Sequence, residues 1–131
     1  MIFFFHKLFM GVAALFLLTG VSVAVFLRRR RYWLKMHKLL NSCGGMLLLT
    51  GGILAAIMVS QQQGEHFAGF HAIAGIIALI LTITSFLLGF YQLKASFAKQ
   101  TLRNIHRRLG VLSLASIIVA LVAGLILVGI I

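Results

Sequence analysis

The sequence is almost without acid. Glu65 is the single acidic residue among 131, against twelve lysines and arginines. It also lacks proline and has one cysteine, Cys43. Each shortage excludes something. A lone cysteine has no partner for an internal disulfide, and Cys43 reads as a small apolar helix residue. A proton-coupled transporter is expected to hold a carboxylate in mid-membrane, and the only acid here sits in a short polar segment, "SQQQGEH" (60–66). Charge as a whole is scarce. Soluble domains carry about a quarter charged residues, and this chain carries 10%. There are no Pro/Ser-rich linkers and no low-complexity tails.

What is present is apolar: 62% of the residues are hydrophobic. They fall into four long runs, about 3–27, 38–60, 67–93 and 107–131. A span needs ~20 residues at 1.5 Å rise to cross a ~30 Å hydrocarbon core. All four runs are long enough. The expected fold is an all-α membrane protein, an antiparallel four-helix transmembrane bundle. The four spans are expected to form one domain over 1–131, with no room for a soluble one. The first run ends in four arginines rather than a small-residue cleavage site, so it reads as a retained span and not a signal peptide.

A net charge of +11 suggests nucleic acid in a soluble protein. Here the cations sit beside the spans instead. Arg28, Arg29, Arg30, Arg31, Lys35 and Lys38 lie between the first and second runs. Lys94, Lys99, Arg103, Arg107 and Arg108 lie between the third and fourth. Only Lys7 lies at the other end. The positive-inside rule therefore puts both basic loops in the cytoplasm and both termini outside. Contact with membrane lipid is expected, and none with nucleic acid.

Five histidines remain: His6, His37, His66, His71 and His106. Four of them stand near the start of the four spans, one to each. Because the helices alternate in direction, His6 and His71 fall on the outer side and His37 and His106 on the inner side. In an antiparallel bundle the first and third helices can lie on one diagonal and the second and fourth on the other, so each pair can face across the axis. A single histidine near a helix end is usually an interface residue. One per span at matched depths is not what that reading predicts, and ionisable groups inside spans are functional by default.

The helix faces support this. From His6 the stripe runs through Ala13, Gly20 and Ala24. From His37 it runs through Gly44 and Gly51, from His71 through Gly75, Ala78, Ser85 and Gly89, and from His106 through Gly110, Ser113 and Gly124. Small residues allow close helix packing, or room for a flat cofactor. Imidazole suits iron, copper and zinc. No carboxylate or thiolate stands near either pair to complete a zinc site. Two facing histidines suit haem iron held on both axial sides, a closed arrangement that moves electrons rather than activating oxygen. Haem carboxylates would want cations. Lys38, Arg107 and Arg108 adjoin the inner histidines, and Lys7 adjoins an outer one. His66 is a further candidate for such a contact, or an alternative ligand to His71.

The segments "FHKLFMG" (5–11), "RYWLKMHKLLNSCGG" (31–45), "FHAIAGIIALILTITSFLLGFYQ" (70–92) and "LRNIHRRLGVLSL" (102–114) together resemble the cytochrome b561 family. The likeness is to the membrane core of its DOMON-linked and prokaryotic-type members. "HAIAG" (71–75) and "HRRLG" (106–110) share the form H-x-x-x-G. The resemblance implies two b-type haems, on His6 with His71 and on His37 with His106, and electron transfer across the membrane. Members usually have flanking helices or an attached extracellular domain, and the four spans here are expected to form a minimal core. Donor and acceptor stay open among an ascorbate-like reductant, a quinol and a partner redox protein. A homodimer, or a place as a haem-bearing subunit of a larger quinone-linked complex, is compatible with so small a chain. The rival from another class is a structural membrane subunit without cofactor.

Overall fold

The computed structural model describes residues 1–61 and 69–129. Glu65 and His66 lie outside the described residues. The described residues form four α-helices: α1 (Ile2–Phe26), α2 (Trp33–Gln61), α3 (Phe70–Lys94) and α4 (Lys99–Leu127). These residues contain no strand. All four helices are long and apolar enough to cross a membrane, with mean hydropathies of 2.4, 2.0, 2.4 and 2.7 over their most apolar windows. Large side chains such as Leu15, Ile53, Ile80 and Val111 face outward. That is the surface a hydrocarbon solvent requires, since lipid tails are as apolar as leucine.

Two helices start earlier than the apolar runs. α2 begins at Trp33 and α4 at Lys99, where hydropathy alone marked 38 and 107. Hydropathy marks where the membrane begins, and helix propagation has no reason to stop there. Leu, Lys, Arg, Met and Gln are all good helix formers, and they make up three of the five added residues in α2 and half of those in α4. The 29 residues of α4 rise about 43 Å, so its basic first turns stand clear of a ~30 Å core.

The connection from α1 to α2 is a short turn, with Arg30 N–H donating to the Leu27 carbonyl and Trp33 N–H to that of Arg30. The α3–α4 connection ends on Ala98, a left-handed residue (φ 50°) that caps α4. Such short links force antiparallel neighbours. Packing is closest inside the two sequential hairpins, α1 with α2 and α3 with α4. Between hairpins, α1 meets α4 and α2 meets α3 along much less of their length, while the backbones on the α1–α3 and α2–α4 diagonals stay more than 8 Å apart among the described residues.

Glycine makes the first hairpin tight. A methyl group at Gly44 would meet the Leu17 side chain at 2.7 Å, and one at Gly51 the Met10 sulfur at 2.7 Å. At mid-depth the four helices close on a small apolar layer of Ala13, Leu17, Leu48, Ala78 and Ile117. Above and below that layer the hairpins leave space between them.

Candidate functional site

Each of the four described histidines is placed by its helix and then locked by the other helix of the same hairpin. His6 Nδ1 lies 2.9 Å from the Gly51 carbonyl. His37 Nδ1 lies 2.8 Å from that of Gly20. In the second hairpin His71 Nδ1 reaches the Ala120 carbonyl at 2.9 Å, and His106 Nδ1 that of Ser85 at 3.0 Å. A carbonyl only accepts, so in every case Nδ1 carries the proton and donates. The tautomer follows: Nε2 is bare, with its lone pair free. This is the arrangement of a metal-ligating histidine, whose other nitrogen donates to a backbone carbonyl or carboxylate.

The acceptors follow one rule. Each lies fourteen residues beyond the histidine of its own helix: Gly20 after His6, Gly51 after His37, Ser85 after His71, Ala120 after His106. Fourteen residues are four turns, about 21 Å, and return to the same face. So the two helices of a hairpin brace each other's histidines at both ends. A glycine, serine or alanine at the acceptor lets the neighbouring ring approach the backbone. Close contact recurs at Gly89 and Gly124, where an added Cβ would stand 2.9 Å from Cε1 of His106 and of His71 respectively.

The braced rings meet in pairs across the diagonals. At the end away from the basic loops, the His6 and His71 centroids are 6.4 Å apart with planes crossing at 80°. At the basic end, His37 and His106 are 6.2 Å apart, crossing at 84°. A metal held at about 2 Å by one nitrogen of each imidazole sets the centroids about 6 Å apart. Both pairs have that spacing. Among the described residues no third His, Cys, Asp or Glu joins either pair. Two ligands do not make a zinc site, which needs three or four. They do suit an iron whose remaining ligands come from a macrocycle.

Space for one exists at each end. The basic-end and far-end clefts span ≈ 770 Å³ and ≈ 870 Å³, open solvent at their mouths included, and each is lined by its histidine pair. A buried side-chain atom, Gln92 Oε1, lies beside the basic-end pair without a hydrogen-bond partner among the described residues. An amide in that position is ready for a polar group on whatever fills the space. Haem fits these observations.

The candidate cations divide. Lys38 lines the basic-end cavity and Lys7 the far-end one, Lys7 also lying over the Phe3 ring at 4.6 Å. Arg107 and Arg108 flank His106 in sequence but are exposed, and neither lines the cavity. Trp33 stands one turn before His37, its ring 6.4 Å from the imidazole and under the Arg28 guanidinium.

Sequence reasoning missed the carbonyl acceptors as a set, together with Asn41, Thr82 and the place of Gln92 beside the basic-end histidines. Asn41 donates from Nδ2 to the His37 carbonyl at 2.7 Å and packs against Gly20. It also stands 3.0 Å from His37 Nδ1, which is a packing contact, because that nitrogen already donates to Gly20. A small residue fourteen positions after each of His6, His37, His71 and His106 was the available signal for the acceptors.

A family model described as eukaryotic cytochrome b561 matches residues 5–130. No curated protein and no solved structure matches closely enough to add a named relative.

Proposed function

The chain belongs to the cytochrome b561 family, and on that premise we propose that it carries electrons between two haems, from a reductant on the basic face to an acceptor on the opposite face. Membership makes it an integral, multi-pass membrane protein that binds b-type haem and transfers electrons across the membrane. The finer reading is ours. His37 and His106 hold an inner haem, and His6 and His71 hold an outer one. The observation that carries it is the bracing of all four imidazoles through Nδ1, which leaves four bare Nε2 atoms in two facing pairs.

Bound haem would supply a one-electron centre, with the Nε2 atoms of His6, His71, His37 and His106 available to hold its iron. The chain does the rest. Carbonyl bracing fixes ring orientation and raises ligand basicity. Most of the surface lining each cavity is apolar. Lys38 and Lys7 each offer a cation to a haem carboxylate. The finer likeness, to the core of DOMON-linked and prokaryotic-type members, belongs to this proposal and rests on the four histidine-bearing segments 5–11, 31–45, 70–92 and 102–114.

Sidedness follows the charge. With eleven of twelve cations at the two basic connections, that end is cytoplasmic and the termini are outside. An electron moving outward across a membrane with negative interior gains up to about 2.3 kcal/mol per 100 mV. The same cations concentrate an anionic reductant at the inner face.

Donor identity is tested on the purified protein alone. With an ascorbate-like anion as donor, anaerobic mixing with ascorbate reduces the haem within seconds, and the rate falls as salt screens the basic face. Reduction only by a quinol, or only with a partner present, would assign the chain to a larger quinone-linked complex. A colourless protein from haem-replete cells would favour the structural-subunit reading.

A further inference from the structure

The two cavities differ in chemistry. Apart from its histidines and Lys7, the far-end cavity is walled by apolar side chains and glycine, among them Met10, Leu48, Met58 and Leu121. The basic-end cavity adds Asn41, Thr82, Ser85, Ser113 and Gln92. Each cavity has one lysine in its lining, so the contrast lies in the neutral dipoles.

Two of those dipoles have a fixed direction. Thr82 and Ser113 are 8% and 5% exposed, in the layer beneath the basic-end pair. Thr82 Oγ1 lies 2.7 Å from the Ala78 carbonyl, to which it can only donate. The two hydroxyl oxygens are 2.7 Å apart, and the proton between them must therefore come from Ser113. The order is Ser113 to Thr82 to the Ala78 carbonyl. Ser113 directs its proton at α3, so the hydroxyl it contributes to the cavity lining acts there only as an acceptor.

We propose that the Thr82–Ser113 hydroxyl pair holds the reduction potential of the basic-end haem below that of the far-end haem. This rests on the two-haem reading. Reduction adds one electron and transfers no atom, and the oxidised centre carries one more positive charge. The negative end of a fixed dipole stabilises that charge and lowers the potential. An apolar wall disfavours it and raises the potential. The difference makes electron flow from the basic end to the far end downhill.

The test is a redox titration of the purified full chain, followed optically, with haem and protein quantified. The wild type should show two midpoints, and the His37→Ala chain, which keeps only the far-end haem, should show the higher one. Ser113→Ala removes the oxygen. Thr82→Val removes the acceptor and frees the Ser113 proton to turn toward the cavity. Both should raise the lower midpoint alone, increasing the reduced-to-oxidised ratio at fixed ambient potential by up to about tenfold, or ~59 mV for one electron. Thr82→Ser keeps the hydroxyl and should keep the wild-type midpoint. Haem content in the Ser113 and Thr82 variants should stay at the wild-type ratio, which a packing defect would not allow. An unmoved lower midpoint, equal movement of both, or a lower midpoint in the His37→Ala chain would overturn the inference while two haems remain bound. One haem in the wild type would overturn the two-haem reading itself, and this inference with it.

Discussion

Replacing His37 or His106 by alanine should halve the haem bound per chain and leave the remaining half spectrally unchanged. The expectation comes from the separation of the pairs. His37 is braced at Gly20, fourteen residues from His6, so the two levels are about 21 Å apart along the bundle. The layer of Leu17, Leu48, Ala78 and Ile117 lies between them. Removing one imidazole takes an axial ligand from one end and no contact from the other. Glycine in place of the histidine leaves a hole that free imidazole can enter. His106→Gly should therefore recover most of the lost low-spin absorption at millimolar imidazole. His6→Ala and His71→Ala should have the mirror effect, and His66→Ala should retain both haems. Loss of a haem in His66→Ala but not in His71→Ala would transfer the far-end ligand to His66.

The second large effect needs no change to any ligand. A Cβ at Gly89 would stand 2.9 Å from Cε1 of His106, and one at Gly124 the same distance from that of His71. The imidazoles are pinned at Nδ1, so they cannot swing clear without breaking that bond. Gly89→Val should therefore lose the basic-end haem, and Gly124→Val the far-end one, each to less than about a tenth of its wild-type occupancy by loss of ligand geometry. Alanine at either position should give a smaller loss of the same selectivity. Gly45→Ala is the control, because its added methyl group meets nothing within 4 Å. The measurement is haem per chain with the spectrum of what remains. Equal loss of both haems from Gly89→Val would mean a general packing failure instead.

These two predictions draw on different layers of information. The histidines and their diagonal neighbours were legible in the sequence, because alternation of helix direction converts chain position into depth. So were the four spans, since hydropathy reads the solvent directly. The reason Gly20, Gly51, Ser85 and Ala120 matter was not legible. What they contribute is a backbone carbonyl, which every residue has. Only the small side chain around it leaves a trace in the sequence, and that trace looks like ordinary helix packing. The early starts of α2 and α4 escaped for another reason. Their first turns are polar, and a scale that measures membrane affinity does not register a helix standing in water. Arg107 and Arg108 look like cavity residues because they follow His106 directly. Neighbours on a helix point about 100° apart, and these two turn outward. Gln92, at the polar end of an apolar run, was readable as a motif member but not as a buried amide beside the basic-end histidines.

The central claim is that the four braced histidines hold two haems. The most direct measurement is a reduced-minus-oxidised absorption spectrum of the detergent-purified chain, with haem and protein quantified on the same sample. The account predicts two b-type haems per chain, both low-spin, with neither binding added carbon monoxide because every iron position is filled. One haem per chain, or a high-spin spectrum with an open position, would contradict it.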